Sequence, residues 1–157
     1  MPVTERLAQW LREAGVAFEL VEHPPVRTSI EAARVRGTRL EEGAKALVVR
    51  ADDRFLHCVL PAHLKADNAA LRAIARARQL RFATREELHT LTGCEPGAVP
   101  PFGNLFGLPV LLDEALCVNE RVAFNAGSTT VSMTMRCADL VRVSGATVCR
   151  FAVREWA

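Results

Sequence analysis

The chain has no tyrosine, two tryptophans and seven phenylalanines in 157 residues, so it lacks the aromatic surface on which successive single-stranded bases stack. It has only two lysines, Lys45 and Lys65, and a formal charge of +2. A protein that tracks a long duplex carries a stronger basic excess, whereas a grip on the end of a nucleic acid needs none. DNA is therefore not an expected partner. No apolar run approaches the roughly 18–20 residues that cross a bilayer, and the N-terminus has no apolar signal core. The expected setting is the cytoplasm, without membrane contact. Five cysteines (Cys58, Cys94, Cys117, Cys137, Cys149) are odd in number and widely spaced, with no CxxC. That argues against a disulfide framework and against a paired-thiol zinc site; small buried apolar side chains are the simpler reading. The four histidines show no ligand spacing, and GxSxG, Walker A, GxGxxG and HExxH are all absent. Neither metal nor cofactor is expected.

What remains is a chain half apolar and a quarter charged, the composition of one globular domain spanning residues 1–157. Thr4 is placed to cap a first helix that ends at Gly15, with Leu7, Trp10, Leu11 and Ala14 at helical spacing. A strand is expected over 16–21, then a turn at His23-Pro24-Pro25. Thr28 with Glu31, and Thr84 with Glu87, read as capping boxes opening helices that end near Gly37 and Leu91. Two apolar runs, 44–50 and 54–60, flank Asp52-Asp53 as a hairpin. A helix over 67–77 and strands over 79–83, 109–112, 118–124, 131–135 and 147–151 follow, with a short helix near 138–141. The pattern is α+β: a single domain with a mixed or antiparallel sheet, no linker and no repeat.

Three features stand apart. Lys45 opens the apolar run Ala46-Leu47-Val48-Val49, either snorkelling to solvent or standing as a fixed cation at a pocket rim. The Gly- and Pro-rich loop over 92–104 is long for a compact domain, where such loops are commonly functional rather than mere connectors. Phe124-Asn125-Ala126-Gly127-Ser128-Thr129-Thr130 is either an ordinary turn or a set of successive amides able to hold an oxyanion.

In this order and spacing, four motifs resemble the YbaK family. They are Glu22-His23-Pro24-Pro25, Gly43-Ala44-Lys45-Ala46-Leu47-Val48, Pro96-Gly97-Ala98-Val99-Pro100-Pro101-Phe102-Gly103 and Phe124-Asn125-Ala126-Gly127-Ser128. That family includes the editing insertion of bacterial prolyl-tRNA synthetase and free-standing relatives, and the Pro-Pro-Phe-Gly loop and Asn-Ala-Gly-Ser turn resemble the free-standing prolyl-tRNA editing branch. The resemblance implies an α+β fold around a curved, partly barrel-like sheet. It also implies hydrolysis of mischarged aminoacyl-tRNA without metal or protein nucleophile. Lys45 would hold the phosphate of the 3′-terminal adenosine, and the ribose hydroxyl would help water attack the ester. Lys45, Asn125 and Gly127 are the implied catalytic set. Gly97, Pro100, Pro101, Phe102, Gly103, Ala126, Ser128 and Thr129 are implied to line the aminoacyl pocket, and Val21, Ile30, Ala46 and Ser132 to line or approach it. The implied partner is the acceptor end of an aminoacyl-tRNA, with prolyl-tRNA synthetase as a candidate protein partner.

One departure stands out. Many relatives read Asn-Ala-Gly-Ser-His, and here Thr129 takes the place of the histidine. With the other motifs intact, altered amino-acid specificity is the expectation, and apolar Val21, Ile30 and Ala46 point to alanine or 2-aminobutyrate. The alternatives are a non-catalytic module of the same fold that binds tRNA ends or a synthetase, and a small-molecule hydrolase using one cysteine.

Overall fold

In the computed structural model, which describes residues 2–154, the longest hairpin forms at Asp52-Asp53. Strands β2 (Ala44–Ala51) and β3 (Arg54–Pro61) pair antiparallel across it, with Lys45 opposite Leu60. Asp52 adopts φ 56°, and its carboxylate accepts the N–H groups of Gln79 and Arg78, which hold it below the usual carboxylate range. β5 (Leu80–Phe82) adds antiparallel to β2, while β6 (Val110–Asp113) adds parallel to β3 and β9 (Thr147–Cys149) parallel to β6. β3 is thus central, and its residues 56–61 are all buried, as a strand covered on both faces requires.

A second, antiparallel sheet has the order β1 (Phe18–Glu22), β8 (Val131–Arg136), β7 (Arg121–Asn125). β4 (Leu64–Ala66) and β10 (Ala152–Arg154) form a two-stranded ribbon. A parallel bridge between Gly43 and Ala123 joins the start of β2 to β7. Lys45 therefore stands two residues from the seam between the two larger sheets.

Five helices complete the α+β architecture: α1 (Val3–Glu13), α2 (Ser29–Arg36), α3 (Asn68–Ala75), α4 (Arg85–Thr92) and α5 (Cys137–Ser144). Thr84 and Glu87 form the full reciprocal capping box of α4. Thr28 caps α2 by accepting the Glu31 N–H, but the Glu31 carboxylate accepts from Arg27 N–H instead of closing the box. One core packs α1 and α5 on the three-stranded sheet, through Leu7, Leu11, Phe124, Met133, Met135 and Leu140. A second packs α3 on the hairpin, through Val49, Leu56, Leu60, Leu71 and Phe151.

Several expectations change. Thr4 lies inside α1 rather than capping it, and its hydroxyl donates to Ala126 O at 2.6 Å, pinning the turn after β7. The strand expected over 118–124 starts only at Arg121, because Asp113 caps a 3-10 turn (Glu114–Val118) through Ala115 N–H. The strand expected over 147–151 is split in two. Buried Asp113 takes the N–H groups of Phe151 and Ala152, at 2.8 and 2.6 Å, and turns the chain from β9 into β10. The ribbon strand β4 is too short to show a period in the sequence. No helix among the described residues is long and apolar enough to cross a membrane.

Candidate functional site

The seam between the sheets borders a cavity of about 620 Å³. Its walls come from residues 25–29 and Ala32 on the approach to α2, from Gly43, Ala44, Lys45, Ala46 and Leu47, from Pro96, Gly97 and Val99 of the loop, and from Asn125 and Thr129. Four segments far apart in sequence thus converge on one space.

Among the described residues three cations reach this wall, Lys45, Arg36 and Arg27, and no carboxylate lines it. Lys45 is half-buried. Arg36, in the last turn of α2, has no carboxylate within 4.0 Å among the described residues, and burial lowers its pKa from 12.5 to about 10. It stays fully charged at neutral pH. Such a guanidinium attracts an anion, and in a partly desolvated wall that attraction is stronger than at an open surface.

Arg36 also organises the wall. Its Nε donates to Ser132 Oγ at 2.8 Å and its Nη2 to Asn125 Oδ1 at 2.9 Å. Asn125 Nδ2 in turn donates to Gly97 O at 2.8 Å. Ser132 Oγ lies 2.7 Å from His23 Nε2, and His23 Nδ1 lies 2.9 Å from Pro24 O. A ring nitrogen facing a carbonyl carries the proton, so Nδ1 donates to Pro24 O. One chain of hydrogen bonds then runs from the Pro-Pro turn through Ser132, Arg36 and Asn125 to the Gly97 loop.

A second buried group holds the other end of that loop. His57 on β3 is fully buried, and its Nε2 donates to Pro100 O at 3.0 Å. Burial lowers its pKa from 6.5 to about 4, so it is neutral. Its Cβ would sit 2.5 Å from a Cβ on Gly103, so the loop needs glycine there to lie against β3.

Of the motif residues, Lys45, Ala46, Gly97, Asn125 and Thr129 come together on the cavity wall. Others stand behind it. Pro100, Pro101 and Gly103 are buried beneath the loop. Phe102 is core, in an edge-to-face chain with Trp10 and Phe124 whose ring centroids are 5.6 Å apart. Ala126 is buried, and Ser132 is buried and reaches the wall through Arg36. Gly127, at φ 90°, packs so close to Val3 that a Cβ would lie 2.8 Å from its Cγ1. Ser128 Oγ bonds within the turn, to Thr130. The turn is not a run of free amides: Ala126 N–H goes to Val131 O and Gly127 N–H to Ala98 O. Val21 faces outward on β1, and Ile30 lines a neighbouring groove.

Sequence reasoning missed Arg36, Arg27, His57 and the hydroxyls of Thr28 and Ser29. The capping signature located α2, yet nothing in the spacing of Arg34, Arg36 and Arg39 says which turns inward. No cysteine lines the cavity. Burial pushes Cys58 and Cys137 up to about 12 and raises Cys94, Cys117 and Cys149, so none is poised as a thiolate.

Fold and site together define an α+β domain with a cation-lined cavity built by the Lys45 strand, the Gly97 loop and the Asn125 turn. The sequence profile of the aminoacyl-tRNA editing domain matches residues 23–143, and the chain belongs to that family. It is 32% identical over 145 residues to the multifunctional Ser/Thr-tRNA deacylase ProXp-y of Escherichia coli K12, covering 89% of this chain and 87% of that protein. It is 29% identical over 117 residues to the proline–tRNA ligase of Bacillus subtilis 168, covering 73% of this chain but 21% of the ligase. Among solved structures, a candidate trans-editing enzyme for prolyl-tRNA synthetase superposes with a TM-score of 0.88 at 28% identity, covering 98% of both chains.

Proposed function

We propose that this domain hydrolyses, in trans, the ester between a small amino acid and the 3′ end of a mischarged tRNA, with tRNA(Pro) the first candidate. The observation that carries the reading is the convergence of Lys45, Gly97, Asn125 and Thr129 on one cavity that Arg36 and Arg27 also line. An aminoacyl ester is already activated by its ribose, so its hydrolysis needs positioning and charge stabilisation more than a protein nucleophile. Lys45 anchors the terminal phosphate. Arg36 fixes Asn125 against Gly97, which sets the width of the opening. The ribose hydroxyl assists an attacking water. Removal of what a synthetase pocket lets through is the chemical need, because one methylene separates substrates by only about 1–3 kcal/mol.

The wall carries methyls from Ala32, Ala44 and Ala46 and hydroxyls from Thr28, Ser29 and Thr129. Alanine and 2-aminobutyrate suit the first set. Serine and threonine suit the second, and the name of the E. coli relative supports including them. Single-turnover hydrolysis of alanyl-, 2-aminobutyryl-, seryl-, threonyl- and cysteinyl-tRNA separates the cases. Cleavage of the polar set alone would remove alanine and 2-aminobutyrate from the proposal. Slower ester loss than in buffer, for every member, would overturn hydrolysis in favour of a protective binding module.

A further inference from the structure

A second groove, of about 800 Å³, opens on the other side of Lys45. Thr28, Ser29, Lys45 and Ala62 line both spaces, so the two meet at the lysine. Beyond that junction the chemistry changes. Ile30, 61% exposed, forms an apolar wall with Leu40 and Leu64. The ring of His63 also lines the groove, and its Nδ1 is shielded from solvent with no hydrogen-bond partner among the described residues. Arg154, at the end of β10, is exposed and has no carboxylate within 4.0 Å among the described residues. Among the described residues no carboxylate lines the groove.

We propose that this groove is the subsite for the 3′-terminal nucleoside of the RNA, its base lying against Ile30 and His63, with Arg154 joining Lys45 at its one phosphodiester. The inference rests on the deacylase reading above. In a charged RNA end the ribose joins the amino acid to the base, so the two must occupy adjoining spaces. A phosphate held at Lys45 leaves one cavity for the amino acid and the other for the base. Apolar branched side chains, an imidazole ring and a guanidinium offer what an unstacked base and its phosphate take up. The groove supplies this with no tyrosine in the chain. Ile30 thereby acts on the nucleoside and not on the amino acid.

The test uses the whole protein and two uncharged RNA minihelices, one ending in CCA and one ending in CC. Wild type is expected to bind the CCA end about tenfold or more tightly, the size of a lost base stack. Ile30→Glu, His63→Ala and Arg154→Ala should each shrink that preference, with unchanged circular dichroism and thermal midpoint. In deacylation, the same variants should raise the half-saturating concentration more than they lower the maximal rate, equally for alanyl and seryl esters. Equal binding of the two ends by wild type overturns the subsite, as does an undiminished preference in all three variants. A change of amino-acid selectivity at Ile30→Glu overturns it too, by returning Ile30 to the aminoacyl pocket. Rapid deacylation by wild type alongside any of these results leaves the hydrolase reading standing; absence of deacylation by wild type removes that reading itself.

Discussion

Acidification should destabilise this protein through His57. The imidazole is fully buried, donates to Pro100 O and has a pKa lowered from 6.5 to about 4 by burial. The folded state therefore binds fewer protons than the unfolded state between those two values. Its contribution to stability is complete above pH 6.5, falls as the pH drops toward 4, and is level below that, where the folded form is protonated as well. At about 1.36 kcal/mol per pH unit, the drop from 6.5 to about 4 is worth about 3 kcal/mol. Urea denaturation from pH 7.5 to 4 on wild type and His57→Gln isolates this part, since glutamine keeps a donor but does not titrate. Surface carboxylates such as Glu87 act alike in both proteins. The wild-type curve should fall by about 3 kcal/mol relative to the variant across the window. Parallel curves would refute the assignment of a buried neutral histidine behind the loop.

Gly103→Ala forces a Cβ to within 2.5 Å of His57 Cβ and 3.0 Å of Leu108 O, so overpacking should cost about 1–3 kcal/mol, read as a lower thermal midpoint. Arg36→Met removes the donors that hold Asn125 and Ser132; deacylation should fall by about tenfold or more, with Arg36→Lys recovering part of the maximal rate. Equal rates in Arg36→Met and wild type would mean that the wall keeps its shape without the guanidinium. With Lys45, Arg36 and Arg27 at the cavity and Arg154 at the adjoining groove, log affinity for an RNA end against log salt should slope no more steeply than about −3, at roughly 0.7 per phosphate contact. A much steeper slope would require a broad basic face elsewhere.

Local signals carried most of the architecture. The Asp52-Asp53 hairpin and the Thr84–Glu87 box are written in adjacent residues, and both formed where expected. What failed depended on distant partners. Asp113 is an ordinary acid in the sequence, yet it takes amides 38 and 39 residues away and splits the last strand. Thr4 resembles a cap because its competing partner, Ala126 O, is 122 residues off. The site divides similarly. Lys45 and Gly97 were visible because a lone lysine on an apolar strand and a Gly/Pro loop are locally unusual. Arg36 was hidden among like neighbours, since only the fold turns one arginine of α2 toward Asn125. Phe102 sits in the same loop as Gly97 but belongs to the core, and a motif has no sign that distinguishes an inward ring from a pocket-facing one.

The most direct test of the account is deacylation of alanyl- and seryl-tRNA(Pro) by wild type and by Lys45→Ala, with correctly charged prolyl-tRNA(Pro) as control. Rapid loss of the wrong amino acid, slowed by about a hundredfold or more in the variant with proline spared by both, is the predicted result. Hydrolysis undiminished in Lys45→Ala, or no acceleration over buffer by wild type, would contradict it.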